Sequence, residues 1–350
     1  MKVGIAGFPR SGKTTIFNAL TGQDADVGGF SEPGKVHLGT IKVPDARIDR
    51  LSEIFSPKKT TYAEMVFVDF PAAAESAGGS ALDTATLTQM RETDALVQVV
   101  RGFTDVVSAA PATPARDLAN FKSELLLSDL VLIEKRLERL KKEKGKEQER
   151  ALLERCKAEL DLERPLRHCA LTPEETTAIA GFGFLSRRPL MVLLNVSEAD
   201  VHAPFPAAVA DWLAQEHVDG LLLSGKIEME IAGLDPEDRP AFLQDLGLKE
   251  TARDRFIRAA YALLDQISFL TAGEDEVRAW TIKRGTTAVK AAGKIHSDIE
   301  RGFIRAEVTH YDDFIHYGSE AKCREHGKLR LEGKEYVVKD GDIVHFRFNV

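Results

Sequence analysis

"GFPRSGKTT", residues 7 to 15, matches the pattern G-x-x-x-x-G-K-[ST]. The apolar run from Lys2 to Ala6 precedes it and predicts a strand, and "KTTIFNAL" predicts a helix after it. A helix N-terminus offers unpaired backbone N–H groups to phosphate oxygens, and the glycines let that backbone come close. Because strand, loop and helix agree, the stretch predicts a phosphate-binding loop rather than a chance match.

The loop and a later strand end predict the contacts to a nucleotide and its metal ion. Lys13 is expected to reach the β- and γ-phosphates, and the Thr14 hydroxyl is expected to bind Mg²⁺. Asp69 ends the apolar strand "MVFVDF", where P-loop NTPases keep a carboxylate that holds Mg²⁺, often through water. An isolated Asp at a strand end is usually only a cap. The loop residues expected around the nucleotide are Pro9, Arg10, Ser11, Gly12, Lys13, Thr14 and Thr15.

Composition narrows the class of protein. The chain has 350 residues, 43% of them apolar, and a net charge of -8, so it predicts two or three globular domains and no global attraction to nucleic acid or anionic membrane. Its three cysteines, Cys156, Cys169 and Cys323, have no C-x-x-C spacing and predict neither disulfides nor a zinc site. The sequence contains no run of 18 apolar residues and no leader pattern, so we expect a cytoplasmic protein without a membrane partner.

Three different sequence patterns along the chain predict how it divides into domains. Short apolar runs alternate with helical stretches and indicate a mostly parallel sheet covered by helices. Leucines at four-three spacing, interrupted by the charged "KKEKGKEQER" at 141 to 150, predict two antiparallel helices joined at an exposed tip. From about Ser268 the pattern indicates a small α+β module. We therefore predict an α/β P-loop NTPase domain of the G type (residues 1–115 and 186–267), an inserted helical arm (116–185) and a C-terminal module (268–350).

The choice of base is expected to depend on the later strand "PLMVLLNVSEAD". GTPases of this general type end that strand with N-K-x-D, whose Asp accepts from two guanine N–H groups. Here Asn195 is followed by Val196 instead of the Lys that packs over the base, and Glu198 carries a carboxylate one methylene longer. These changes disfavour guanine. Taken alone, "NVSE" would be read as a strand end with a polar cap.

At this point several motifs together resemble one family over essentially the whole chain. They are N-x-x-E at 195–198, "RETDALVQVVRGF" at 91–103, "AFLQDLG" at 241–247, "AGEDEVRAWTI" and the ending "DGDIVHFRFNV", and they resemble the Obg-like ATPases, the YchF family. The resemblance implies an NTPase domain with an inserted helical arm and a C-terminal TGS domain of β-grasp (α+β) fold. It also implies a preference for ATP over GTP and a link to ribosomes.

The resemblance also implies which residues hold the base. Asn195 is the expected adenine-reading residue, and Val196 and Glu198 are expected to line the base pocket. "LSGK" at 223–226 is expected to supply backbone contacts to the base from Ser224 and Gly225.

Other positions depart from the family pattern. Arg10 stands where the family usually has Asn in its phosphate loop, and Asp69 to Ala72 reads D-F-P-A instead of D-x-A-G. Pro71 stiffens that switch segment, and Ala72 replaces its glycine. The Thr of the first switch falls at Pro33, with Ser31 and Thr40 out of register as substitutes, and residues 104–120 contain no His. The position of a water-orienting Gln is Ala73. The chain therefore resembles a diverged paralogue.

These departures leave two functions open. One is a slow ATPase acting as a nucleotide-dependent switch on a ribosome- or translation-related partner, with Lys13 and Arg10 as its catalytic residues. The other is an interaction protein that binds ATP without hydrolysing it. Arg10 is hypothesised to supply in cis the positive charge that a potassium ion supplies beside the phosphates of P-loop NTPases with Asn at this position. Alternatively it points into solvent or pairs with a carboxylate.

The tip of the arm carries a dense charge run. From Glu134 to Arg150, thirteen of seventeen residues are charged, eight basic and five acidic. Such a run is commonly a solvated helix face. The alternative is that the arm, together with the TGS domain, contacts a ribosome or structured RNA.

Overall fold

The computed structural model describes residues 1–23, 25, 36–71, 82–104 and 111–349. Their contacts divide the chain into two compact units. Unit 1 comprises Met1–Ile41 and Val66–Arg253, and unit 2 comprises Lys42–Met65 and Asp254–Val350. Each unit has its own sheet and its own apolar core.

The strands of the described residues form two six-stranded sheets. In chain order they are β1 (Lys2–Ala6), β2 (His37–Lys42), β3 (Lys59–Thr61), β4 (Glu64–Asp69), β5 (Ala95–Arg101), β6 (Leu190–Asn195), β7 (Asp219–Leu223), β8 (Gln266–Thr271), β9 (Glu276–Lys283), β10 (Phe303–His310), β11 (Arg330–Glu332) and β12 (Asp342–Phe348).

The α-helices of the described residues cover these sheets and build the arm. They are α1 (Lys13–Thr21), α2 (Ala46–Phe55), α3 (Thr84–Met90), α4 (Pro114–Leu140), α5 (Glu147–Asp161), α6 (Pro173–Ile179), α7 (Ala207–Gln215), α8 (Gly225–Gly233), α9 (Arg239–Asp245), α10 (Ala252–Leu263), α11 (Ala288–Ile295), α12 (Ser297–Arg301), α13 (Tyr311–Tyr317) and α14 (Glu320–Glu325). Within the described residues no helix is both long and apolar enough to cross a membrane.

The first sheet has the order β2-β4-β1-β5-β6-β7, and β4, β1, β5, β6 and β7 pair in parallel. β6 is buried at all six of its positions, because helices cover both faces of a parallel sheet. The register aligns Ile5 with Asp69 and aligns Asn195 with Leu223. Since parallel strands end at one edge, Asp69 and Asn195 lie at the edge where the phosphate loop begins. The predicted α/β P-loop fold is confirmed.

The arm consists of α4 and α5, which pack through an apolar seam that includes Ile133, Leu153 and Cys156. Burial raises the pKa of the Cys156 thiol to about 11, so we expect this thiol to be protonated and unreactive. The two helices are joined by a short connection in which Gly145 has φ 74°, a conformation that favours glycine. The antiparallel helices and the exposed tip at 141–146 agree with the pattern in the sequence.

The base of the arm is fixed by a buried carboxylate. Asp129 of α4 is 0% exposed. Its oxygens accept hydrogen bonds from Arg91, at 2.7 Å, and from the backbone N–H groups of Leu185 and Ser186, at 3.0 and 2.7 Å. Arg91 caps the C-terminus of α3 and also donates to Ser128 Oγ. One carboxylate therefore ties the arm to α3 and to the chain that returns to β6.

The sheet of unit 2 has the order β11-β10-β12-β8-β9-β3 and mixes antiparallel and parallel pairs. α11 packs on it through a core that includes Phe269, Ala291 and Val344. This α+β arrangement agrees with the expected C-terminal module.

Residues 42–65 differ from the expectation, since the sequence assigned them to the NTPase domain. Their contacts place them in unit 2, because β3 pairs in parallel with β9. In addition, the Arg47 guanidinium donates to the carboxylates of Asp45 and Asp340, both at 2.9 Å. No local pattern in the sequence marks these long-range contacts.

Replacing Asp129 tests the base of the arm. Asp129→Ala is expected to lower the free energy of unfolding by about 3–5 kcal/mol, because it leaves a largely buried guanidinium and two backbone N–H groups without their acceptor. Urea denaturation followed by circular dichroism measures this. The matched control is Glu138→Ala, which removes a carboxylate of the same helix that is 68% exposed and should change stability little. Equal, small losses in both variants would contradict the assigned role.

Candidate nucleotide-binding site

The phosphate loop turns between β1 and α1 through residues that need unusual backbone angles. Gly7 has φ 148° and Gly12, which caps α1, has φ 88°. A Cβ on Gly12 would collide with the Asn195 side chain, and one on Gly7 with the carbonyl oxygen of Val99. These two glycines therefore let the loop lie against the ends of β5 and β6. The first turn of α1 then presents its N-terminus, the end that attracts anions, at the edge of the sheet.

Lys13 is the buried cation of the site. Only 6% of this residue is exposed. Burial lowers the pKa of Lys13, and the Asp69 charge acts in the opposite direction. A buried ammonium is costly unless anions surround it. Its position at the start of α1 is the one from which the sequence predicts contact with phosphates.

Asp69 and Thr14, the two residues that the sequence predicts to bind Mg²⁺, contact each other. Thr14 Oγ1 donates to Asp69 Oδ2 at 2.9 Å, and Asp69 is 2% exposed. Burial raises the pKa of Asp69, against the lowering effects of Lys13, Thr14 and His37. Asp69 Oδ1 is buried and has no hydrogen-bond partner among the described residues, and the same holds for Ser11 Oγ. Unsatisfied buried oxygens are rare, and an oxygen-binding cation such as Mg²⁺ fits this carboxylate and hydroxyl.

Asn195 connects the phosphate loop to the start of α8. Its Nδ2 donates to the carbonyl oxygen of Ser11 at 3.0 Å, and its Oδ1 accepts from the N–H of Gly225 at 2.9 Å. The residue is 5% exposed. Its amide retains one further donor and one further lone pair, so the expectation that it reads adenine stays a prediction. The bridge itself was not foreseen from the sequence.

The other residues expected at the base occupy distinct places. Val196 is 6% exposed and packs in the core of unit 1, which leaves no cationic side chain at this position. Glu198 forms an ion pair with Lys226 at 2.5 Å, where both side chains are largely exposed. Ser224 caps α8 by accepting from the N–H of Ile227. The contacts of Val196, Glu198 and Ser224 to a base stay predictions. Lys226, the last residue of "LSGK", was not predicted to contact Glu198.

Arg10 is an exposed residue in the left-handed region, with φ 62°. Asn adopts this conformation more readily than Arg, and holding a non-glycine residue there costs about 1–3 kcal/mol. Pro9 is exposed beside it, and Thr15 is half-buried in the first turn of α1. The contribution of these three residues to binding stays a prediction.

Several residues of the expected switches lie outside the described part of the chain, namely Ser31, Pro33, Ala72 and Ala73. Thr40 is described, and it is an exposed residue of β2. His37 is a neighbour of the site that sequence reasoning missed, with Nδ1 3.6 Å from Asp69 Oδ2. Nothing local marked it, because its place depends on β2 lying beside β4.

Two protein families match the chain. The family described as 50S ribosome-binding GTPase matches residues 2–136. The YchF-GTPase C-terminal family, described as a protein of unknown function, matches residues 266–349.

Named relatives match the chain over its whole length. It is 39% identical over 367 residues to the ribosome-binding ATPase YchF of Bacillus subtilis, with 100% of both chains covered. It is 42% identical over 363 residues to the protein of the same name from Haemophilus ducreyi, covering 100% of this chain and 99% of that one. The solved structure of the Schizosaccharomyces pombe YchF GTPase superposes with a TM-score of 0.87 at 30% identity, covering 99% of this chain and 97% of that one.

Proposed function

This chain belongs to the YchF family of P-loop NTPases, and on that premise we propose that it is a slow ATPase whose nucleotide state controls its binding to ribosomes. Relatives that match it from end to end are named ribosome-binding ATPases. A cytoplasmic location, where ribosomes are found, is part of this proposal.

The observation that carries the proposal is the buried, incompletely satisfied pair of charges at the sheet edge. Lys13 and Asp69 are 6% and 2% exposed. Burial lowers the pKa of Lys13 and raises that of Asp69, and both shifts favour the neutral form of the side chain. A triphosphate beside Lys13 and a divalent cation beside Asp69 would both relieve that cost. Such a site is complete only when nucleotide and metal are bound together.

Each residue has a distinct task in the proposed reaction. Lys13 would bind the β- and γ-phosphates, the loop N–H groups would hold their oxygens, and Thr14 and Asp69 would hold Mg²⁺. When bound, Mg²⁺ would neutralise charge that develops on the phosphate oxygens. Asn195 keeps the phosphate loop and the start of α8 at a fixed separation. The chemistry therefore depends on positioning and charge rather than on covalent catalysis.

The rate of turnover is expected to be low. Hydrolysis requires an oriented water, often held by a Gln after the second switch, and the sequence has Ala72 and Ala73 there. Pro71, just after β4, limits the freedom of the backbone at this point. If these changes abolish turnover, the protein binds ATP as a regulatory interaction protein without hydrolysing it.

Phosphate release and nucleotide affinity together test the proposed function. Wild-type protein is expected to release phosphate slowly from ATP and to bind ATP at least about tenfold more tightly than GTP, because Val196 and Glu198 replace the guanine-specific Lys and Asp. Lys13→Ala should lose both activities. Tight ATP binding without phosphate release above the Lys13→Ala background would select the non-hydrolysing alternative. GTP bound tenfold more tightly than ATP would refute the predicted base preference.

The tip of the arm is the proposed ribosome-facing surface. Lys141 and Lys146 form ion pairs with Glu138 and Glu149. Lys142 and Lys144 are exposed and, within the part of the chain that the structure describes, have no carboxylate within ion-pair distance. Unpaired lysines at an exposed tip are suited to phosphate contacts in ribosomal RNA.

Reversing the charge of the tip lysines distinguishes a ribosome-binding tip from one whose charges only contact solvent. Replacing Lys141, Lys142, Lys144 and Lys146 with Glu should leave ATP affinity intact and weaken cosedimentation with ribosomes, and the Lys142→Glu, Lys144→Glu double variant should account for much of the loss. The control is Lys58→Glu with Lys249→Glu, two exposed lysines outside the arm whose reversal changes net charge as the double variant does. Unchanged cosedimentation across a salt titration would indicate that the tip is only a solvated helix face and does not bind ribosomes.

Arg10 is proposed to supply positive charge at the phosphates in place of a potassium ion. Its guanidinium is always charged and cannot ligate a cation. ATP turnover should therefore be indifferent to exchanging K⁺ for Na⁺. Arg10→Asn should lower the rate in Na⁺ and partly restore dependence on K⁺, as measured by phosphate release in each salt. A wild-type rate that rises steeply in K⁺, or an Arg10→Asn variant as active as wild type in Na⁺, would rule this role out.

A further inference from the structure

A histidine lies at the metal side of the candidate site. His37 is the first residue of β2, and its Nδ1 is 3.6 Å from Asp69 Oδ2, the oxygen that also accepts from Thr14 Oγ1 at 2.9 Å. The His37 side chain is 19% exposed and that of Asp69 is 3% exposed. The imidazole packs beside the Phe17 ring of α1, with ring centroids 6.2 Å apart. The ring is thus held in place next to the carboxylate that is expected to bind the cation.

The distance between His37 and Asp69 is too long for a hydrogen bond. At 3.6 Å the N···O separation is longer than a well-formed N–H···O bond. Two ligands about 2.1 Å from a shared ion stand about 3 Å apart at a right angle and about 3.4 Å apart at a tetrahedral angle, so a shift of the imidazole by about half an ångström would let both groups bind one ion. The other carboxylate oxygen, Asp69 Oδ1, is buried and has no hydrogen-bond partner among the described residues.

We propose that His37 Nδ1 coordinates the divalent ion that accompanies the nucleotide, and that this nitrogen ligand makes the site favour first-row transition ions over Mg²⁺. The inference rests on the proposed nucleotide-binding function. Mg²⁺ prefers oxygen ligands, whereas imidazole suits ions such as Co²⁺, Ni²⁺ and Zn²⁺. His37 is therefore a residue that sets the metal specificity of the site.

The remaining ligands come from Thr14 and the nucleotide. Among the described residues no group of three or more His, Cys, Asp and Glu side chains gathers around one point, so these residues do not form a cage that binds metal by itself. The ion is bound together with the triphosphate, whose oxygens complete its coordination. Metal affinity should consequently be strong only when a nucleotide is present.

A second role for His37 predicts different behaviour. The imidazole could instead donate to Asp69 and orient the carboxylate without touching the ion. Loss of an orienting partner weakens binding of every metal, whereas loss of a nitrogen ligand weakens mainly the ions that prefer nitrogen. The ratio of affinities for two metals therefore separates the roles, and a variant that binds both metals serves as its own folding control.

Calorimetry with a non-hydrolysable ATP analogue measures that ratio. In wild-type protein Co²⁺ should bind more tightly than Mg²⁺, and in His37→Asn the Co²⁺ to Mg²⁺ affinity ratio should fall at least about tenfold while Mg²⁺ affinity changes less than about threefold. The control is His202→Asn, which removes a ring bonded to the Leu246 carbonyl oxygen and should leave the ratio unchanged. A parallel fall in both affinities, or no fall in either, would overturn the proposal.

Electron spin-echo spectroscopy of Mn²⁺ bound with the same analogue detects the ligand directly. Wild-type protein should show nitrogen hyperfine coupling that changes when only the histidines carry ¹⁵N, and the coupling should vanish in His37→Asn. Histidine labelling excludes the adenine nitrogens as its source. If nucleotide and metal bind but this coupling is absent, the assignment of His37 as a ligand is overturned and the proposed function is not. Failure of wild-type protein to bind the analogue with any of these ions would overturn the proposed function and the inference together.

Discussion

The site depends on the side-chain amide of Asn195, which joins two segments that come together only in the folded chain. Its Nδ2 donates to the carbonyl oxygen of Ser11 in the phosphate loop, and its Oδ1 accepts from the N–H of Gly225 at the start of α8. The contact is so close that position 12 has no room for a Cβ. α8 also begins against α1, since a Cβ on Gly225 would lie 3.3 Å from the Ile16 side chain. The phosphate loop and the start of α8, where the phosphate and base contacts are predicted, are therefore joined to each other within unit 1.

Around this bridge the protein keeps charged groups in positions that are unfavourable without a ligand. Lys13 and Asp69 are buried, and Asp69 Oδ1 and Ser11 Oγ lack partners among the described residues. Burying an ion costs several kcal/mol even after relaxation, and the fold accepts this cost at the edge where parallel strands end. A polyanion and a cation bound at such a site would each reduce the cost of burying the charge that faces the other.

The sequence predicted those parts of the fold that rest on local patterns. The loop "GFPRSGKTT" predicted the turn between β1 and α1, and the apolar run "MVFVDF" predicted the strand that ends at Asp69. The spacing of leucines and the charged interruption predicted the arm. What escaped prediction depends on long-range contacts. Thr61 and Glu276, which help to bring residues 42–65 into unit 2, are 215 residues apart. The bridge by Asn195 and the place of His37 escaped it for the same reason, because sequence periodicity describes a strand but does not name its neighbour.

The free energy of unfolding of the whole chain, measured with and without ATP and Mg²⁺, shows whether Lys13 and Asp69 form a nucleotide site. If the buried Lys13 and Asp69 form a nucleotide site, ATP with Mg²⁺ at about 100 times its Kd should add about 2.7 kcal/mol of stability. Mg²⁺ or ATP alone should add less, and Lys13→Ala should gain almost nothing. A wild-type protein that gains no stability, or a Lys13→Ala variant that gains as much as wild type, would show that these residues do not form a nucleotide site.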